Sequence, residues 1–301
     1  MSEDSRGICI IAYNNMEIDY MHTACLAAGY AKKHMKNNKV ALITDNGTKG
    51  YMESVFDEKQ IDMLFDYVIH SDVQHERNPR RHYDSPWTEF SSQFSNKNKD
   101  SIFELTPFDK TLLIDGDYFI QNNYYDHIFE TDNSLALHRI AEYLDGSPPY
   151  LNERELNEAG IHHWWSTCVY FDKSEESEMF FDLWRLVKDN WEYYSLLYQF
   201  PPGLFRTDFC VSIAIHLLNG LTNDTFVNDF DSIPLINMDQ KDDIIQIDGL
   251  TDFKFLVHNR KEQWKNILVR RQKENLHLMN KRAITRHQNK LLELMWESLD
   301  A

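Results

Sequence analysis

The chain has 301 residues, 42% of them hydrophobic and 13% aromatic, with a formal charge of −17. That length suits one large α/β domain with additions, not a single minimal module and not three domains. The acidic balance argues against uniform attraction to nucleic acid or anionic lipid. Cys9, Cys25, Cys168 and Cys210 are scattered, and without a C-x-x-C pair they give no zinc ribbon or dithiol redox motif.

A polar MSEDSR start leading into a short apolar run is the pattern of neither a signal peptide nor a membrane anchor. No apolar stretch approaches the roughly 18 residues of a spanning helix, so a soluble cytoplasmic protein is expected, in the host cytoplasm if viral, with no membrane partner. GICIIAY (7–13) is a short apolar run of the kind that forms a buried parallel strand, and IDYMHTACLAAGYAKKHM after it carries apolar residues at helical spacing. KVALITDN (39–46) is a second strand. Strand, helix, strand within so short a span predicts a right-handed βαβ unit, hence a doubly wound α/β sheet.

FDYVIHSD (65–72) predicts a third strand, and the polar, Pro-containing stretch from Val73 to Phe94 predicts a loop over the sheet edge. Helical SNKNKDSIFELTPF then leads into the strand KTLLIDGD (110–117). NSLALHRI and STCVYFDKS predict further strands, and EESEMFFDLWRLVKDNWEYYSLLY a helix. RTDFCVSIAIHLLNG predicts a helix with Thr207 as N-cap and Gly220 at its end. FKFLVHN is a late strand, and Lys261 to Leu299 reads as a basic, then amphipathic, helical tail. The expected organisation is residues 1–264 as one main ligand-binding domain and 265–301 as a basic, amphipathic helical extension.

The chemistry centres on TLLIDGDYFIQNN. An apolar strand ends on Asp115 and Asp117, two like charges that repel unless water or a cation sits between them, and Gly116 leaves room for a cation to approach the backbone; an exposed turn formed by D-G is the alternative. Open α/β sheets bind ligands at the carboxyl ends of their strands, where this pair falls.

The segment PFDKTLLIDGDYFIQNN resembles the D-x-D segment of GT-A glycosyltransferases, in which helix, strand and D-x-D follow in this order. The resemblance implies a divalent cation under the diphosphate of a nucleotide sugar, with Asp115 and Asp117 as ligands. VHNRKEQW (257–264) is similar to the late histidine-containing strand end of glycogenin-like members. It implies His258 as third ligand and Lys261 on the diphosphate, with Trp264 nearby, although the glycine and proline usual between them are missing. The resemblance spans about residues 7 to 264 and extends to glycosyltransferase-like proteins of tailed phages.

A departing nucleoside diphosphate needs its growing charge neutralised, which a hard cation on carboxylate oxygens does. Mn²⁺ suits a site containing imidazole better than Mg²⁺, so the expected cofactor is Mn²⁺ or Mg²⁺. Tyr13 and Asn14 follow the first strand, where this fold cradles a nucleobase. Asp45 ends the second, where a carboxylate could accept from the ribose or a uracil edge, with turn chemistry the alternative for each. Lys97 and Lys99 precede the D-x-D strand and could face the diphosphate or solvent. Asp208 opens a helix after the acceptor region, where related enzymes hold an acceptor hydroxyl or a base. HHWWSTC (162–168) offers rings for stacking on sugar or base.

Together these readings predict a metal-dependent glycosyltransferase with a nucleotide-sugar donor, UDP-sugar foremost. Two alternatives stand beside it: a nucleotidyltransferase and a noncatalytic sugar- or nucleotide-binding protein. AYNNMEID lacks the glycine-rich basic loop expected of the nucleotidyltransferase. From Arg260 to Lys290 there are ten Lys or Arg against two Glu, a net of +8 that leaves −25 on the rest. Such a segment either grips a phosphate-bearing acceptor, such as DNA with a hydroxymethylated base, or packs on the chain's own acidic body, and the second is favoured.

Overall fold

A computed structural model describes residues 5–300 except positions 16, 73–78, 96–97, 150–154, 157–160, 201–204, 223–225, 231–232, 260–261 and 263–264. In chain order the elements are β1 (Arg6–Ile11), α1 (Tyr20–His34), β2 (Lys39–Thr44), α2 (Asn46–Val55), α3 (Glu58–Leu64), β3 (Tyr67–His70), β4 (Pro79–Ser85) and β5 (Thr88–Gln93). They continue with α4 (Ile102–Leu105), β6 (Lys110–Asp115), β7 (Tyr118–Phe119), β8 (Leu135–His138), β9 (Ala141–Tyr143), β10 (Glu155–Leu156), β11 (Ile161–His162), β12 (Trp165–Asp172), α5 (Glu175–Asp189), α6 (Trp191–Leu197) and α7 (Thr207–Leu218). The last are β13 (Leu235–Met238), β14 (Asp243–Gly249), β15 (Asp252–His258), β16 (Asn266–Gln272), β17 (Leu276–Leu278) and α8 (Lys281–Asp300).

The main sheet has the order β3-β2-β1-β6-β12-β8. β1, β2, β3 and β6 run parallel, and β12 is antiparallel to both β6 and β8. Its strands read as continuous apolar runs because both faces are covered. Successive side chains divide between the faces: Ile8, Ile10, Leu112 and Ile114 join the cluster beneath α1 and α8, while Cys9, Ile11, Leu113 and Val169 join the one beneath α5 and α7. On the first face α8 lies so close to α1 that a Cβ at Gly29 would overlap Met295 Sδ.

From β1 the chain builds outward through β2 to β3, then returns to place β6 on the other side of β1. The carboxyl ends of β1 and β6 therefore flank a topological switch point, where crevices form in such sheets. A smaller sheet, β7-β17-β13-β9, abuts that point, and a separate antiparallel sheet, β14-β15-β16, lies beyond it.

Three expectations are corrected. The polar stretch from 73 to 94, expected as a loop, carries the β4–β5 hairpin, laddered from Pro79↔Gln93 to Ser85↔Thr88. The hairpin is pinned by Tyr83 N–H to Gln240 Oε1 (2.9 Å), by Asn15 Nδ2 to Gln93 O (3.0 Å) and by Arg286 to Asp84 (2.7 Å). The tail from 265, expected as one helix, first forms β16 and β17 and becomes helical only at Lys281. NILVRRQ alternates between half-buried and exposed along β15, a period of two that no helix presents. At α7 the N-cap is Arg206, with no side-chain capping bond, and Thr207 is already helical; Gly220 ends the segment at φ +68°.

Candidate active site

β6 is parallel to β1 with Asp115 opposite Ile11. After Gly116 the chain enters β7, which pairs with β17 so that His277 stands opposite Tyr118. Leu278 N–H bonds Asp117 O at 2.9 Å. This register brings His277 to the aspartates: one ligand atom from each of Asp115, Asp117 and His277 lies within 4.8 Å of the others. His277 Nδ1 sits 2.9 Å from Asn237 Oδ1, and Nε2 is 3.4 Å from Asp117 Oδ2. An Nδ1 proton given to Asn237 leaves the Nε2 lone pair for an ion, the usual arrangement behind a metal-bound histidine. Two carboxylates and one imidazole thus fit a divalent cation.

Two lysines already hold those carboxylates. Lys99 Nζ, buried, is 2.6 Å from Asp115 Oδ1 and also bonds Ser166 O, while Lys281 Nζ pairs with Asp117 Oδ2. Burial alone would raise the Asp117 carboxyl, but the charges of Lys281 and His277 and their hydrogen bonds outweigh it, holding the group well below the usual carboxylate range.

The cavity in front of these groups has a volume of about 200 Å³, and the hairpin closes one side of it through Arg80, Arg81 and His82. On the wall beyond Lys99, Asp208 Oδ1 accepts from Ser166 N–H (2.9 Å) and Ser166 Oγ (2.7 Å), and its Oδ2 faces Arg206 Nη2 at 3.3 Å. Burial pushes the Asp208 carboxyl up, yet the Arg206 charge, His163 and the Ser166 bonds bring it far below its ordinary value. Arg80 lies 3.4 Å over the Phe94 ring and donates from Nη2 to Phe205 O at 3.3 Å. His82 is buried, and that burial with the nearby Lys281 and Arg80 charges lowers it to about 4, so it is neutral at pH 7.

Among the expected site residues, Tyr13, Lys99, Asp115, Asp117 and Asp208 line this cavity. Asn14 and Asp45 do not. Asn14 accepts from Met21 N–H (2.6 Å) at the start of α1, and Asp45 caps α2 by accepting from Thr48 N–H (2.8 Å), so turn chemistry occupies both.

The expected third ligand, His258, ends β15 in the separate sheet. Its N–H bonds Asp242 (2.8 Å) and its ring lies 3.3 Å from Asn266, so it is not among the residues gathered at the aspartate pair. His277 stands there instead. LHLMNK offered its signal, a histidine in a short apolar run with a lysine four residues on, but that stretch reads as part of a helix. Lys261 lies outside the described residues, as do Lys97 and Trp264. A Cβ at Gly116 would make only ordinary contact with Ala24 at 3.5 Å, so space does not demand glycine at that position.

Three arginines of the basic segment are paired within the molecule. Arg270 pairs with Asp252, Arg271 with Glu142 and Glu274, and Arg286 with Asp84 and Asp243. No described helix is long and apolar enough to cross a membrane.

No protein-family profile matches the chain, and no curated protein matches it. Comparison with solved structures finds a similarity to the glycosyltransferase GlyE of Streptococcus pneumoniae, with 12% identity over 75% of this chain and a TM-score of 0.42. Mouse xyloside xylosyltransferase 1 matches at 12% identity, 69% of this chain, 81% of its own and a TM-score of 0.41. A putative glucose-1-phosphate thymidylyltransferase from Bacillus anthracis matches at 11% identity, 75% of this chain, 99% of its own and a TM-score of 0.39. The chain spans 45% of the length of GlyE.

Proposed function

We propose that this chain is a metal-dependent glycosyltransferase that takes a sugar from a nucleoside-diphosphate sugar, with UDP-sugars the first donors to test. The reading rests on one observation: Asp115, Asp117 and His277 converge within 4.8 Å at the switch point of the main sheet, in a cavity where Lys99 and Lys281 hold the two carboxylates. A divalent ion held by the triad, Mn²⁺ or Mg²⁺, would supply charge neutralisation for the leaving diphosphate. Lys281 and Lys99 balance the two carboxylates and are placed to contact phosphate oxygens. Tyr13, at the end of β1, is the residue assigned to the nucleoside.

Asp208 stays ionised and is fixed by Ser166, which suits it to orient an acceptor hydroxyl by accepting its hydrogen bond. A carboxylate held that far below its usual range is a weak base, so orientation is its assigned role. The cavity of about 200 Å³ is smaller than the roughly 300 Å³ at which small-molecule sites begin.

The test incubates the full chain with Mn²⁺ and a panel of nucleotide sugars, following nucleoside diphosphate release and sugar-bearing products by mass spectrometry. Metal-dependent release from one donor, abolished by Asp115→Asn or Asp117→Asn in a folded protein, is the expected result. Turnover in either variant that still requires metal removes the triad from the reaction. Mn²⁺-coupled binding of UDP without turnover of any donor would make the chain a noncatalytic binder.

A further inference from the structure

The charges on the two walls of the cavity are not balanced alike. On the triad wall, Lys99 offsets Asp115 and Lys281 offsets Asp117, so a bound divalent ion would leave two positive charges, matching the two negative charges of a sugar-linked diphosphate. Beyond Lys99 two guanidiniums, Arg80 and Arg206, line the cavity beside Asp208, with Asp115, already held by Lys99, the other carboxylate whose charge reaches Arg80. Arg206 reaches Asp208 at 3.3 Å, and among the described residues no second acid pairs with either arginine at this wall.

Arg80 is also built in place. Its guanidinium is stacked on Phe94, and Nη2 is tied to the carbonyl of Phe205, the residue before Arg206, which brings both guanidiniums to one wall. Its Nε is sealed from solvent and, among the described residues, has no hydrogen-bond partner. Burial first, and then the Arg206 charge, bring Arg80 down to about 10 against the pull of Asp208, Tyr20 and Asp115. An oxyanion in the cavity meets two guanidiniums at once, and arginines bind such groups with fixed fork geometry.

We propose that Arg80 and Arg206 form an anion subsite for the acceptor, so that the accepting sugar carries a phosphate ester or a carboxylate beside the hydroxyl held by Asp208. This rests on the glycosyltransferase reading for the word acceptor, while the anion subsite itself stands on the arginines alone. A neutral acceptor would bring no counter-charge to the two guanidiniums.

The test titrates glucose 6-phosphate, glucuronate and glucose into the full chain by calorimetry, and Mn²⁺ with UDP in a separate titration. At least one of the two anionic sugars should bind about tenfold or more tighter than glucose, the scale of one charge-assisted hydrogen bond. Whichever of them binds tighter identifies a phosphate ester or a sugar acid. Arg206→Gln and, independently, Arg80→Gln should each erase the preference and keep Mn²⁺–UDP binding. Equal binding of all three sugars by the parent protein overturns the proposal. So does loss of Mn²⁺–UDP binding in both variants with the preference intact, which would assign the arginines to the donor. Anion preference in a parent protein that does not bind Mn²⁺–UDP would sink the donor reading and leave the subsite standing.

Discussion

Lys281 occupies the place beside Asp117 that a metal ion needs, so removing it should tighten metal binding. The perturbation is Lys281→Met, which keeps the aliphatic stem and deletes the ammonium. Its Nζ pairs with Asp117 Oδ2, with side-chain exposures of 15% and 8%, so the pair is mostly shielded from water. An ion arriving at Asp117 must displace this ammonium and then sit next to it. A hydrogen bond to a charged group contributes about 1.5–3 kcal/mol, a factor of roughly 10 to 100 in a dissociation constant. Without nucleotide, the Lys281→Met protein should therefore bind Mn²⁺ about 10 to 100 times more tightly than the parent. With UDP present the advantage should shrink or reverse, because the lysine no longer meets the diphosphate. Competition calorimetry with a chelator of known affinity reads both. Unchanged or weaker Mn²⁺ binding without nucleotide would refute the reasoning, since the ion would then not be on Asp117.

Three further outcomes are expected. His277→Ala should lower Mn²⁺ affinity by about ten- to a hundredfold, whereas His258→Ala should leave it unchanged; the reverse pattern in a metal titration would return the ligand role to β15. His82 and His138 are each lowered by burial from 6.5 to about 4. The unfolded chain therefore takes up their protons first, and the stability they contribute is full above pH 6.5 and declines toward pH 4. His138→Gln should flatten that decline in denaturant titrations at pH 7 and 5, and an equal slope in variant and parent would show that His138 does not cause it. Arg271→Glu breaks a pair in which the arginine is 16% exposed and also bonds Leu144 O, so it should cost about 3 kcal/mol in chemical denaturation. A gel shift with duplex DNA, abolished by that change at unaltered stability, would instead mean that the segment grips nucleic acid.

What the sequence determined by itself is local and periodic. Apolar runs at 7–13, 39–44 and 110–115 are strands because burial on both faces leaves no room for polar residues, and the strand–helix–strand spacing then dictates parallel order and handedness. The Asp115–Asp117 pair is legible for the same reason: two adjacent like charges ending a buried strand need a counter-charge. Asp45 and Asn14 show the limit of such reading, since a polar residue after a strand serves a helix start as readily as a ligand, and the sequence does not say which.

Which distant residues complete the site is settled by long-range contacts. His258 and His277 are both histidines on short strands, and nothing local separates them; β17 pairs with the strand that follows Asp117, whereas β15 pairs within its own sheet. The β4–β5 hairpin was hidden because its residues are polar on a sheet of only two strands, so no apolar period marks it. Arg80, 35 positions before Asp115, gains its place beside Arg206 through a stacking ring and one carbonyl. Long-range register of this kind is set by the sum of many weak contacts across the whole core, and no short stretch of sequence carries that sum.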